Sequence, residues 1–306
     1  MSIIIDTAFF VVIDQSSAAP LAIAASARPT QTGPVDDQQS RAQRFRDLHR
    51  PGDPLILANA WDAVSARLVA AAGARAVATT SAGVAWSRGA RDGDLLARET
   101  AVDVIRRVAD AVRLPVTADI ESGYGDNPDQ VAETVAAVLA AGAVGVNVED
   151  ARHDGGGPLR PIHEQVARLT AVRAAADRAG IPLYVNARVD TYLRGAGGVP
   201  ETVERAEAYL AAGADGIFVP GTVEPETVAA LTAAIPAPLN VLAGPGAPPV
   251  AELARLGVAR VSLGPALAET AYAVVRRAAA EVFGAGTYEA LAGGLDFGEL
   301  NELMRD

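Results

Sequence analysis

Residues 115–150 read PVTADIESGYGDNPDQVAETVAAVLAAGAVGVNVED. An apolar run over 115–121 opens the stretch and another over 145–149 closes it. Between them, 128–141 carries a helical pattern that starts at Pro128 and ends in Ala141-Gly142. Proline is free of cost in the first helical turn, where its missing N–H would have had no partner anyway. Glycine just past a helix supplies the left-handed conformation that closes it. The stretch is therefore one strand–helix–strand unit.

The alternation repeats along the chain from residue 54. Further apolar runs lie at 55–61, 76–82, 183–190, 216–220, 239–243 and 260–263. Helical patterns lie at 63–72, 100–112, 162–179, 200–212, 225–234 and 250–256, and several end in Ala-Gly. Eight such units over about 250 residues predict an α/β fold, a (β/α)8 TIM barrel. The runs are nearly continuous in apolar residues, as strands covered on both faces should be. No G-x-G-x-x-G follows the first run, which speaks against a doubly wound dinucleotide-binding sheet. Residues 266–306 exceed one closing helix, so extra C-terminal helices are expected to pack on the barrel or on a neighbouring subunit.

Composition sets the boundaries of this domain. Residues 16–44 are rich in Ala, Ser, Pro, Gln and Asp. The expectation is a poorly ordered extension over 1–44, or a start codon placed too early, and one barrel domain over 45–306. The apolar run Ile3 to Ile13 is broken by Asp6 and follows no basic residue. Neither a membrane span nor a secretory signal is expected, and the reading is cytoplasmic.

The 306 residues contain no Cys, and all 26 basic residues are Arg. Without Lys there is no imine chemistry and no lysine-anchored cofactor. Without Cys there is no thiolate nucleophile and no cysteine-held metal. A formal charge of −11 argues against a nucleic-acid partner. Catalysis is left to carboxylates, Arg, His, Tyr, hydroxyls or a hard metal ion.

A TIM barrel works at the C-terminal ends of its strands. The third run ends Asp119-Ile120-Glu121 and the fourth Asn147-Val148-Glu149. Strand alternation puts Asp119 and Glu121 on one face, and Glu149 on the adjacent strand converges with them. Three carboxylates with no thiol suit Mg²⁺, with Mn²⁺ as an alternative. The fifth run offers Arg188, a planar fork for a carboxylate or phosphoryl group, with Asp190 as an ion-pair partner. Thr80, Ser81 and Ala82 end the second run and form a candidate anion cradle. Asp92 lies in the following loop, either as a turn residue or as a water-mediated metal contact. His153 follows the fourth run as a candidate mobile acid or base, and Asn240 on the seventh is a candidate inward-pointing group.

Taken together, several segments resemble the isocitrate lyase and phosphoenolpyruvate mutase superfamily. They are Asn59-Ala60-Trp61-Asp62, Ser81-Ala82-Gly83, ADIESGYG at 118–125, GVNVED at 145–150, NARVD at 186–190 and GIFVPG at 216–221. The resemblance covers roughly residues 45 to 285. It implies a modified barrel, often with its last helix exchanged between subunits, and commonly a tetramer. It also implies Mg²⁺ and an enolate-like intermediate from a 2-oxo or 2-hydroxy acid. On this resemblance the metal motif falls on Asp119 and Glu121, with Glu in place of a second Asp. The metal-linked Glu falls on Glu149, the substrate Arg on Arg188, the loop Asp on Asp92, and the substrate cradle on Thr80, Ser81 and Ala82. The lyase branch has a Cys in the loop after the fourth strand, and the mutase branch a Lys and an Asn. Here residues 152–160 read RHDGGGPLR and have none of these.

The implied activity is cleavage or rearrangement of a C–C bond in a small anionic 2-oxo acid. Phosphonopyruvate-type chemistry at a P–C bond, by a mutase or a hydrolase, is the second expectation. A barrel that binds a metabolite without turnover is the third. His153, Tyr124 or a bound water would serve as general acid. A homo-oligomer, dimer or tetramer, is expected, without nucleic-acid or membrane partners.

Overall fold

The structure, a computed structural model, describes residues 34–153 and 155–305, with side chains from Asp37 onward. Nine strands are described: β1 (Leu55–Leu57), β2 (Asn59–Ala60), β3 (Val77–Thr79), β4 (Val116–Asp119), β5 (Gly145–Glu149), β6 (Tyr184–Arg188), β7 (Gly216–Val219), β8 (Leu239–Leu242) and β9 (Arg260–Ser262). All pairings are parallel, in the order β1-β9-β8-β7-β6-β5-β4-β3-β2. The fold is a TIM barrel. The first run of the sequence is divided at Ala58 into β1, which pairs with β9, and β2, which pairs with β3. The ring is closed there by chain continuity.

Helices alternate with the strands: α1 (Pro34–Asp47), α2 (Ala63–Ala71), α3 (Ser81–Ser87), α4 (Arg98–Ala111), α5 (Pro128–Ala140), α6 (Ile162–Ala179), α7 (Val199–Ala211), α8 (Pro225–Ala234), α9 (Val250–Arg255), α10 (Ala266–Gly284) and α11 (Phe297–Leu303). Alternate strand residues Val146, Val148, Val185, Ala187, Ile217, Val219, Val241 and Val261 form the core with the helices. The other set faces inward and is partly polar. Asn186 Nδ2 donates to Asn147 Oδ1 at 2.9 Å, and Arg260 Nη2 reaches the same oxygen from β9 at 3.1 Å. A bond from β9 to β5 crosses the barrel, so these side chains fill its interior.

The chain is already helical ahead of the compositional boundary at residue 44. Helix α1 begins at Pro34, and Ala42 and Phe45 are fully buried. Its composition hid it, because a mostly polar helix anchored by two apolar residues gives little periodic signal. The remainder of the expected extension, residues 1–33, lies outside the described residues. Phe45 packs edge-on to Tyr184 with centroids 5.6 Å apart, and His49 stacks on Tyr184 at 3.8 Å. Tyr184 starts β6, so the end of α1 covers the N-terminal end of the barrel and leaves the other end open.

Trp61, the end of the first apolar run, lies past β2, and Asp62 caps α2. Asp62 Oδ1 accepts from Ser65 N at 2.7 Å, and Ser65 Oγ accepts from Asp62 N at 3.1 Å, a reciprocal cap. Asp62→Ala is expected to cost about 1 kcal/mol of stability, measured as a lower urea midpoint with unchanged slope. An unchanged midpoint would deny the cap this role.

After β9 the chain leaves the barrel wall. Helix α10 exposes Val275 (64%) and Phe283 (89%), and α11 exposes Phe297 (83%). The tail returns to α2, where Arg67 Nη1 donates to Leu303 O and Arg305 O, each at 2.8 Å. No described helix is long and apolar enough to cross a membrane.

Candidate active site

The open end of the barrel gathers its charges in two linked groups. The first forms around Arg188 at the end of β6. Its Nη1 lies 2.6 Å from Glu149 Oε2, its Nε 2.6 Å from Asp190 Oδ1, and its Nη2 3.0 Å from Asp190 Oδ2. Parallel register puts Glu149 opposite Arg188, so the pairing follows from the sheet itself. Burial works against the Arg188 charge, but Glu149, Asp190 and Asp119 more than restore it, and its proton affinity rises. Burial raises that of Glu149, opposed by Arg188 and His153. Asp190 is itself fixed by its N–H, which donates to buried Asp150 at 2.9 Å.

The second group forms around Glu121. The strand ends at Asp119, and Glu121 takes a left-handed φ of 50°. Alternation therefore stops one residue short of Glu121, and the shared face expected for Asp119 and Glu121 does not exist. Glu121 turns toward the loop after α3. Its Oε2 accepts from Gly93 N at 2.8 Å and from Asp94 N, and its Oε1 from Tyr124 Oη at 3.0 Å. Asp94, Glu121 and Tyr124 are the non-glycine residues with positive φ among those described. Backbone strain of this kind concentrates at functional sites, and here all three meet at one carboxylate.

Burial pushes Glu121 up to about 8, and the charges of Asp92, Asp94 and Asp119 add to the effect. Asp92 sits at the rim, and its proton affinity is also raised, by its surroundings and then by Asp119. Tyr124 is raised by burial and by Glu121. Ligand atoms of Asp94, Glu121 and His153 lie within 4.8 Å of one another. The crowded carboxylate oxygens of Asp94 and Glu121, plus one imidazole, fit a hard divalent cation, which would relieve the repulsion.

His153 joins the two groups. Its Nε2 lies 2.8 Å from Glu149 Oε1 and its Nδ1 3.2 Å from Arg194 Nη2. The bond to Glu149 raises its proton affinity. His153 also lines a cavity of about 780 Å³ with Asp94, Ser122, Tyr124, Arg152 and Arg160.

The remaining expected residues fall as follows. Ser81 N and Oγ both donate to Asp119 Oδ2, at 3.2 and 2.9 Å, so Ser81 orients a carboxylate. Thr80 and Ala82 are buried beside it, as the cap and first turn of α3, a helix that begins where the second strand run was expected to end. Asn240 is buried on β8 and bonds Ser262 at 3.2 Å, in the interior layer rather than with the carboxylates. The structure thus joins Glu149, Arg188 and His153, and separately Glu121 and Tyr124, with Asp119 on Ser81. Asp94 was missed as a site residue. Its only signal was a second acid two residues after Asp92 in a glycine loop.

A family model described as phosphoenolpyruvate phosphomutase matches residues 45–283. The chain belongs to this family. An uncharacterized protein of Mycobacterium tuberculosis (strain H37Rv) is 41% identical over 221 residues, covering 72% of this chain and 81% of that protein. The 2-methylisocitrate lyase of Bacillus subtilis (strain 168) is 34% identical over 190 residues, covering 59% of this chain and 60% of the lyase. A crystal structure from Burkholderia cenocepacia J2315, assigned provisionally as a lyase or mutase, superposes with a TM-score of 0.83 at 40% identity, covering 89% and 98% of the two chains. Phosphonopyruvate hydrolase in complex with oxalate and Mg²⁺ gives 0.76 at 28% identity, covering 86% and 94%. Lyases, mutases and hydrolases are all found among the relatives in this family, and an enzyme acting on a small anionic acid is the shared theme.

Proposed function

We propose that the chain is a Mg²⁺-dependent enzyme that cleaves or rearranges a C–C bond of a small 2-oxo or 2-hydroxy acid through an enolate. The observation that carries this is the Arg188 fork. A guanidinium has five N–H donors, and Glu149 and Asp190 engage three of its nitrogens by one N–H each. Two N–H groups on Nη1 and Nη2 are left for a substrate carboxylate beside the acidic cluster. Asp119, Glu121 and Glu149, with Asp92 and Asp94 at hand, would hold Mg²⁺ or Mn²⁺, which when bound supplies Lewis-acid stabilisation of the enolate charge.

The protein's own residues do the rest. Arg188 binds and orients the acid. Ser81 fixes Asp119, and the Gly93 and Asp94 N–H groups fix Glu121. Tyr124 holds a proton at its Oη against Glu121, and His153 holds one at Nε2 against Glu149. Either would protonate a leaving carbon in the absence of a loop Cys. Reaction at a P–C bond is the second reading, supported by the likeness to phosphonopyruvate hydrolase and phosphoenolpyruvate phosphomutase. A dimer or tetramer formed through the exposed apolar residues of α10 and α11 belongs to the same proposal.

The test is turnover of oxaloacetate, 2-methylisocitrate and phosphonopyruvate with Mg²⁺, with EDTA, and after Mg²⁺ is restored. Turnover of a C–C substrate that EDTA abolishes and Mg²⁺ restores is expected. Turnover confined to phosphonopyruvate would establish the second reading. EDTA-insensitive turnover would overturn the metal role. Oxalate binding with no turnover at all would mark a metabolite-binding barrel.

A further inference from the structure

Deep in the barrel, on the α1 side of the carboxylates, Arg260 is fully buried and has no ion pair among the described residues. Its Nε donates to Ser262 Oγ at 3.3 Å and its Nη2 to Asn147 Oδ1 at 3.1 Å, while Nη1 has no hydrogen-bond partner. Five more buried polar atoms around it also lack partners: Tyr184 Oη, Asn240 Nδ2, Thr117 Oγ1, Asn186 Oδ1 and His49 Nε2.

Sheet register and shared neighbours link these residues. Asn240 is in register with Arg260 and is bonded to it through Ser262. Asn186 is bonded to it through Asn147. Thr117 and Tyr184 are the register partners of Gly145 on its two sides. Tyr184 Oη lies over Gly216, the register partner of Asn186, so closely that a Cβ there would meet it at 2.3 Å. His49 stacks on Tyr184. Tyr184 and His49 both respond to the Arg260 charge.

The balance of chemistry has a sign. Of the six unpaired atoms, Arg260 Nη1 and Asn240 Nδ2 only donate, the Tyr184 and Thr117 hydroxyls can donate or accept, and one atom is on a cation. His49 Nδ1 lies 2.8 Å from Phe45 O, so it carries the proton and Nε2 is an acceptor. Burial lowers Arg260 only to about 10, which leaves it charged at neutral pH. The Asp119 carboxylate acts on this charge without an ion-pair contact, and bridging waters would satisfy hydrogen bonds but bring no anion into contact with it.

We propose that Arg260, Tyr184, Asn240 and Thr117 form an internal binding site for one small monovalent anion of the halide class. It lies apart from the mouth of the barrel and holds no substrate.

The test uses the full chain crystallised in sodium bromide, with diffraction recorded at the bromine absorption edge. An anomalous peak in contact with Arg260 Nη1 is expected. Melting temperature should also rise by a few degrees when bromide or chloride replaces gluconate at constant ionic strength. That rise should shrink in Tyr184→Phe, which keeps the ring stack and removes one donor, and vanish in Arg260→Met if that variant folds. Water density without an anomalous peak would overturn the proposal. A peak with no halide effect on melting would mark an adventitious ion and would overturn it as well.

Discussion

Replacing Arg188 with Ala is expected to lower kcat/KM by about 100- to 1,000-fold, the usual loss for one preorganised charge-stabilising group. The same change should destabilise the fold by about 3–5 kcal/mol, because it strands buried Glu149 and Asp190 without their cation. Arg188→Lys separates the two effects. Lysine keeps the charge but lacks the planar fork, and cannot span Glu149, Asp190 and a substrate carboxylate together. It should recover more of the melting temperature than of the activity. Steady-state kinetics beside thermal melts of both variants check this. Wild-type kcat/KM in either variant would remove Arg188 from the proposed site.

Acidification should destabilise the protein through His49. Burial, then the Arg260 and Arg46 charges, lower its pKa from 6.5 to about 3, against the Phe45 and Arg46 carbonyls, which favour the charged form. The folded state therefore keeps His49 neutral where the unfolded chain is protonated. Its contribution is whole above pH 6.5, falls as pH drops below that value, and stops falling near pH 3. The slope is about 1.4 kcal/mol per pH unit, and the full loss roughly 4–5 kcal/mol. His49→Phe, which keeps a ring against Tyr184, should remove this loss, so that on going from pH 6.5 to 5 its stability falls less, or rises more, than that of wild type, because Glu121, held up near 8 in the fold, contributes a gain over the same range. Parallel slopes in urea titrations across that range would refute the assignment.

The barrel was legible because its strands obey one rule over most of their length. Val146, Val148 and Val185 bury against helices whatever the inward residues do, so apolar runs stand out. What escaped was decided where local rules stop. Glu121 follows the end of β4, and its left-handed backbone re-aims it at Gly93 and Asp94, so a strand period could not place it. Arg260 was hidden inside a run read as an ordinary strand, since only the closed ring shows that it points inward at Asn147. Helix α1 escaped because tertiary burial of Phe45, not periodicity, holds it. Glu149 and Arg188 were read from the sequence in separate roles, and their pairing shows only in the register of β5 and β6.

The division of the first strand at Ala58 also has a consequence for how the chain is born. β2 finds its partner β3 within a short span of sequence, but β1 pairs with β9 alone. A nascent chain that has not yet released Arg260–Ser262 is an open sheet with two free edges, one at β1 and one at β8. Long-range closure of this kind is slow, and unpaired edges invite neighbouring chains. Translation pauses ahead of β9, or truncations that remove it, should therefore favour aggregation over a smaller native-like barrel.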